Sequence, residues 1–150
     1  MKCINILLLK ALVLCMSLLL SVDSFAAAAG REKFHVGLNI DTLLVAVGAT
    51  PKQKQEVPQI WTTVERFIHN LDERPLSSHN NKVLKQMRSH IATMISYLQQ
   101  AISSGKYTEE DGKEFNYNLS ILERVDKNIT EVLTSFAQGL EEVKGRLLFE

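Results

Sequence analysis

Cysteine is nearly absent from this sequence. Cys3 and Cys15 are the only two, and both fall in a segment that we expect to be removed. The rest of the chain has no thiol, so it can form no disulfide, no thiolate metal site and no cysteine nucleophile. Small domains in oxidising compartments often rely on disulfides, so packing alone must hold this one together. A lipid anchor on Cys15 is excluded, because the preceding Leu14 is too large for the cleavage site that such anchors need.

Runs of one charge are missing as well. Lys and Arg total 17, Asp and Glu total 17, and no basic stripe of the kind that binds nucleic acid interrupts them. There is no nucleophile with a neighbouring base, no glycine-rich phosphate loop and no close carboxylate pair in an apolar setting. The four histidines, His35, His69, His79 and His90, form no metal-ligand motif. We therefore assign no catalytic residue, no metal and no cofactor, and we expect a protein that is not an enzyme.

What is present begins with a leader. Lys2 and Lys10 bracket an apolar run from Ile4 to Leu20, followed by a small-residue stretch, Ala26 to Ala29. This order is that of a secretory signal peptide cut near Ala26–Ala28. A retained anchor is disfavoured, because Lys10 interrupts the run and leaves it short of the roughly 20 residues that cross a bilayer. We expect residues 1–28 to be cleaved, with 29–150 a single helical domain in the periplasm or outside the cell. Taking Lys2 and Lys10 from the 17 bases and Asp23 from the 17 acids leaves 15 and 16, a nearly neutral domain.

Apolar spacing in that domain is helical. Phe115, Leu119, Leu122, Val125, Ile129, Val132, Phe136, Leu140, Val143 and Leu147 form one stripe in steps of three and four. Thr108 is placed to cap that helix, with Glu109, Glu110 and Asp111 at the positive end of its dipole. A second stripe runs from Val83 through Met87, Ile91, Met94 and Leu98 to Ile102, entered from Ser77 and Ser78 and closed by Gly105. So short a link predicts an antiparallel hairpin. A third stripe, Val57 to Leu71, has a capping-box start at Thr50, Pro51 and Gln53. Pro58 breaks helices from within, so the helix is expected to begin near it. Residues Lys33 to Val47 are read as a first helix, apolar on two opposed sides. The expected fold is all-α, a four-helix bundle.

Length adds a constraint. At 1.5 Å per residue the last helix would reach about 60 Å and its hairpin partner about 40 Å. The surplus stripe is covered by the first two helices, interrupted by a break near Asn128 or Gly139, or covered by another chain; the first arrangement is the expected one.

Several residues break the pattern. Asn118 falls near the centre of the last stripe, where a buried amide either fixes register or faces a ligand. Asp126 and Asp41 are lesser cases. His90 lies at the edge of its stripe beside Tyr97. Glu65 and His69 share a helix face but lie off the apolar side, as an exposed pair would. Asn118 and Asn128 also match the glycan acceptor pattern.

These features favour an exported helical interaction module without catalytic activity of its own, an accessory or effector protein. Its contact surface is expected at Phe136, Leu140, Val143 and Leu147, and its partner is another protein or a second copy of itself. The alternative is a bundle that holds a small ligand or cofactor between helices at His90, Tyr97 and Asn118. Membrane contact through the first helix ranks last, because that helix lacks a basic polar face. Nucleic acid and stable membrane insertion are not expected.

Overall fold

The computed structural model describes residues 36–149, with side chains as far as Leu147. The expected signal peptide, His35 and the start proposed for the first helix at Lys33 lie outside these residues. The described residues form four α-helices and no strand. They are α1 (Ile40–Val47), α2 (Pro51–His69), α3 (Asn81–Ser104) and α4 (Glu109–Phe149), with two 3-10 turns, Asn70–Asp72 and Leu76–Ser78, between α2 and α3.

The first helix is shorter than the sequence suggested. Val36 to Asn39 are not helical, and Asn39 caps α1 by accepting the Thr42 N–H at 3.3 Å. Val36 to Asn39 are a non-helical lead-in to Ile40, with Val36 buried. Asp41 therefore falls in the first turn of α1 and is exposed rather than set among aliphatics. The helix closes on Gly48 in the left-handed conformation, φ 63°, which only glycine adopts freely.

The second helix starts seven residues before the position expected from Pro58. Thr50 and Gln53 form a reciprocal capping box: the Gln53 N–H donates to Thr50 Oγ1 at 3.2 Å, and the Thr50 N–H to Gln53 Oε1 at 2.9 Å. Pro58 is carried inside the helix, where its missing N–H leaves the Lys54 carbonyl without its usual donor. The cap and the burial of Val57 and Trp61 on either side of Pro58 outweigh that loss.

The third helix is capped by Asn80, which accepts from Val83 N–H at 2.9 Å, and not by Ser77 or Ser78. Those two serines lie in the second 3-10 turn. Gly105 ends α3 with φ 65°, as its type suggested. Thr108 begins α4, accepting the Asp111 N–H at 3.2 Å and donating its hydroxyl proton to Asp111 Oδ2 at 2.8 Å.

One core joins all four helices, built on Leu43, Val64, Leu84, Ile91, Met94, Leu98, Phe115, Leu122 and Ile129. The most extensive contact is between α3 and α4, and α3 also packs on α1 and α2. Arg88 of α3 reaches Asp126 of α4 at 3.3 Å, while Tyr107 in the link meets Phe115 edge-on at 5.5 Å. Between α2 and α3, the His79 ring tilts against Phe67 at 5.2 Å.

The surplus stripe is not covered as expected. The first two helices pack chiefly on α3 and on each other, and from 128 onward α4 meets the Leu76–Ser78 turn. The last helix runs without a break through Asn128 and Gly139. At 1.5 Å per residue its 41 residues extend about 60 Å against about 36 Å for the 24 of α3. Complete burial of the stripe stops at Ile129.

Candidate functional site

Beyond Leu133 the apolar stripe of α4 stands in solvent. Phe136 is 42% exposed, Leu140 57%, Val143 54% and Leu147 70%. Single exposed aliphatics are ordinary, but a contiguous row continuing a core seam is the mark of an interaction surface. Each side chain is already partly shielded by its own helix, so covering it would stabilise a contact by roughly 1 kcal/mol.

At the base of this row lies a hollow of about 570 Å³ lined by Leu76, Ser77, Asn128, Glu131, Val132, Ser135 and Phe136. It exists because the second 3-10 turn sets Leu76 against α4 just where α3 begins. Beside and behind the stripe, the helix is stitched by Lys144 to Glu141 at 3.4 Å and Arg146 to Glu142 at 3.0 Å. Such exposed pairs each add only about 0.3–0.5 kcal/mol. The row of apolar residues was legible in the sequence. Leu76 and Ser77 as part of its base were not, because only the turn between Pro75 and Asn80 brings them there.

The polar candidates share no described hydrogen bond and no described hollow. Asn118 is fully buried and donates from Nδ2 to the Gly37 carbonyl at 2.9 Å and to the Glu114 carbonyl at 2.8 Å, while its Oδ1 has no partner. With the Asn39 N–H donating to Glu114 Oε1 at 2.8 Å, it fastens the segment before α1 to the early turns of α4. Tyr97 lines a different, shallow hollow of about 490 Å³ with Gln53, Ser89, Thr93, Ser96 and Gln100. His90 is half-buried and lines neither hollow.

The remaining irregular residues have local roles. Asp126 is half-buried and pairs with Arg88. Glu65 and His69 border a third hollow with Thr62, Arg66 and Asn70. The glycan pattern at Asn118 is sealed in the core, whereas Asn128 is partly exposed. Among the described residues no three His, Cys, Asp or Glu side chains converge as a metal site would require. No described helix is long and apolar enough to cross a membrane. Two exposed apolar side chains were not anticipated as such, Val45 at 73% and Tyr117 at 52%.

Fold and surface together define a class: an all-α protein with a long final helix whose apolar seam outruns its own core. Compared with protein-family models, curated proteins and solved structures, the chain matches none.

Proposed function

We propose that this chain is an exported helical interaction module, an accessory or effector protein without catalytic activity of its own. In this reading residues 1–28 are removed on export, and 29–150 work in the periplasm or outside the cell. The helices α3 and α4 form an antiparallel hairpin, and the free end of α4 presents Phe136, Leu140, Val143 and Leu147 to another polypeptide. The observation that carries the reading is the unbroken α4 seam, buried as far as Ile129 and exposed from Phe136 onward.

A photo-crosslinking residue placed at Leu140 in the native compartment should give one defined protein adduct, and the same residue at the exposed Gln99 of α3 should give none. A protein that yields no adduct at Leu140 and instead turns over a small molecule would defeat the proposal.

A second reading has one observation in its favour, the unpartnered Asn118 Oδ1. It is a bundle that binds a small ligand near His90, Tyr97 and Asn118. A coloured preparation, or a small molecule or metal released on denaturation, is its expected sign; an empty, colourless protein would remove it.

A further inference from the structure

The second half of α3 has a solvent face without charge. From Ser89 to Gly105 the chain carries no Asp, Glu, Lys or Arg, although these types make up 23% of it. An amphipathic helix normally turns charged residues outward. Here Ser89, Thr93, Ser96 and Gln100 recur in steps of four, three and four and so share one face, with the exposed Ala92 beside them. That face lines the hollow of about 490 Å³ to which Tyr97 and, from α2, Gln53 also contribute. Its volume lies within the roughly 300–1,000 Å³ of small-ligand sites.

The polar groups around this hollow are already oriented. Gln53 Oε1 accepts the Thr50 N–H at 2.9 Å in the capping box, which fixes the side chain and leaves its Nε2 protons to donate. Gln100 Nε2 donates to Ser96 Oγ at 3.2 Å, which leaves Gln100 Oε1 to accept. The Thr93 hydroxyl is tied back to the Ser89 carbonyl at 3.1 Å. Tyr97 is half-buried and supplies the one aromatic ring. Side chains held in place before binding lose less entropy when a ligand arrives.

The lining also narrows the ligand. Phosphates and carboxylates are recognised by cations, and the hollow has none. Amines and hard metal ions call for carboxylates, and it has none of those either. Sites for apolar molecules are lined mostly by hydrophobic side chains, whereas Ala92 and the Tyr97 ring are the only apolar surfaces of note here. A neutral molecule rich in hydroxyls meets all three conditions. Its hydroxyls exchange hydrogen bonds with the amides of Gln53 and Gln100 and the hydroxyls of α3, and the C–H face of a sugar ring suits the Tyr97 ring.

We propose that the hollow between the start of α2 and the uncharged face of α3 binds an uncharged saccharide. This goes beyond the interaction-module reading and does not rest on it, because the seam belongs to α4. It uses neither His90 nor Asn118.

Titration of the ¹⁵N-labelled protein with glucose, galactose, mannose, N-acetylglucosamine, cellobiose and N,N′-diacetylchitobiose, followed by amide chemical shifts, tests this. At least one should bind with a Kd below about 10 mM, and the shifts should centre on 89–100 and Gln53. Ala92→Lys fills the hollow with a long cation at an exposed helical position where the fold tolerates it, and should abolish the shifts. Gln99→Lys, exposed and outside the hollow, should leave them unchanged. Gln100→Ala should weaken binding about fivefold and Tyr97→Leu, which keeps an apolar side chain but loses the ring, about tenfold, with thermal unfolding recorded for each. Glucuronate should bind more weakly than glucose, for want of a cation. Comparing the sugar that binds with its own longer oligomers separates a free sugar, bound equally, from a glycan chain, bound more tightly; either upholds the proposal. No shift with any of the six sugars at about 50 mM, or shifts that survive Ala92→Lys, overturns it.

Discussion

Asn118 donates both amide protons, to Gly37 and Glu114, while its Oδ1 accepts nothing. A buried acceptor without a donor costs about 1–3 kcal/mol, and the clamp it provides is what holds the lead-in to α1 against α4. Asn118→Asp removes the two donors and puts a carboxylate beside two carbonyls in the core. We expect it to lower unfolding stability by about 3 kcal/mol or more in a urea titration, with faster proteolysis near Gly37; a loss under about 1 kcal/mol would mean that the clamp is not needed. Gly112 makes the complementary case. The Tyr107 hydroxyl donates to the Ile102 carbonyl at 3.0 Å, which parks the ring over Gly112. Gly112→Ala would add helix propensity but push the ring off, for a net loss of about 1 kcal/mol or more. Gly145→Ala, with open space around it, should instead gain up to about 1 kcal/mol by the same measurement.

The elements differ in how openly the sequence announced them. The ends of α3 and α4 at Gly105 and Thr108 were readable, because left-handed backbone and an amide-accepting hydroxyl restrict the residue types that serve there. The start of α3 was misplaced because three neighbours, Ser77, Ser78 and Asn80, can all cap, and only the 3-10 turn decides among them. The start of α2 was misplaced because Pro58 carries a cost without saying whether the rest of the helix outweighs it. That cost remains in the folded protein. Pro58→Ala should therefore raise stability by up to about 3 kcal/mol, seen as a higher unfolding midpoint with no change in helix content. A destabilised variant would show that the ring's own packing matters more than the missing hydrogen bond. The first helix was over-extended because Val36, Leu38 and Ile40 suit a strand face and a lead-in equally well, and the capping of Asn39 depends on where the chain turns.

At the scale of the molecule, α3 is the hub and α4 exceeds it. The consequence is a division of labour along one helix, with residues up to Ile129 belonging to the core and those from Phe136 onward contributing little to it. Removing 138–150 should leave the stability of the remainder within about 1 kcal/mol, measured by chemical denaturation at low protein concentration, while abolishing association through the seam. A collapse of the fold on truncation would mean that the free end supports the core after all. Of the candidate site, the apolar row was visible in advance because helical periodicity places it on one face whatever covers it. The hollow beneath it was not, since Leu76 belongs to another part of the chain.

Periodicity and capping chemistry settled by themselves that the described chain is mostly helical, where its last two helices meet, and that Asn118 points inward, because these follow from the geometry of a single helix. Which helix sits at the centre, and whether α1 and α2 cover the end of α4 or leave it bare, was decided by tertiary packing alone. Those choices depend on the relative lengths of α3 and α4 and on contacts between residues far apart in the chain, such as Asn118 with Gly37, and no local spacing encodes them.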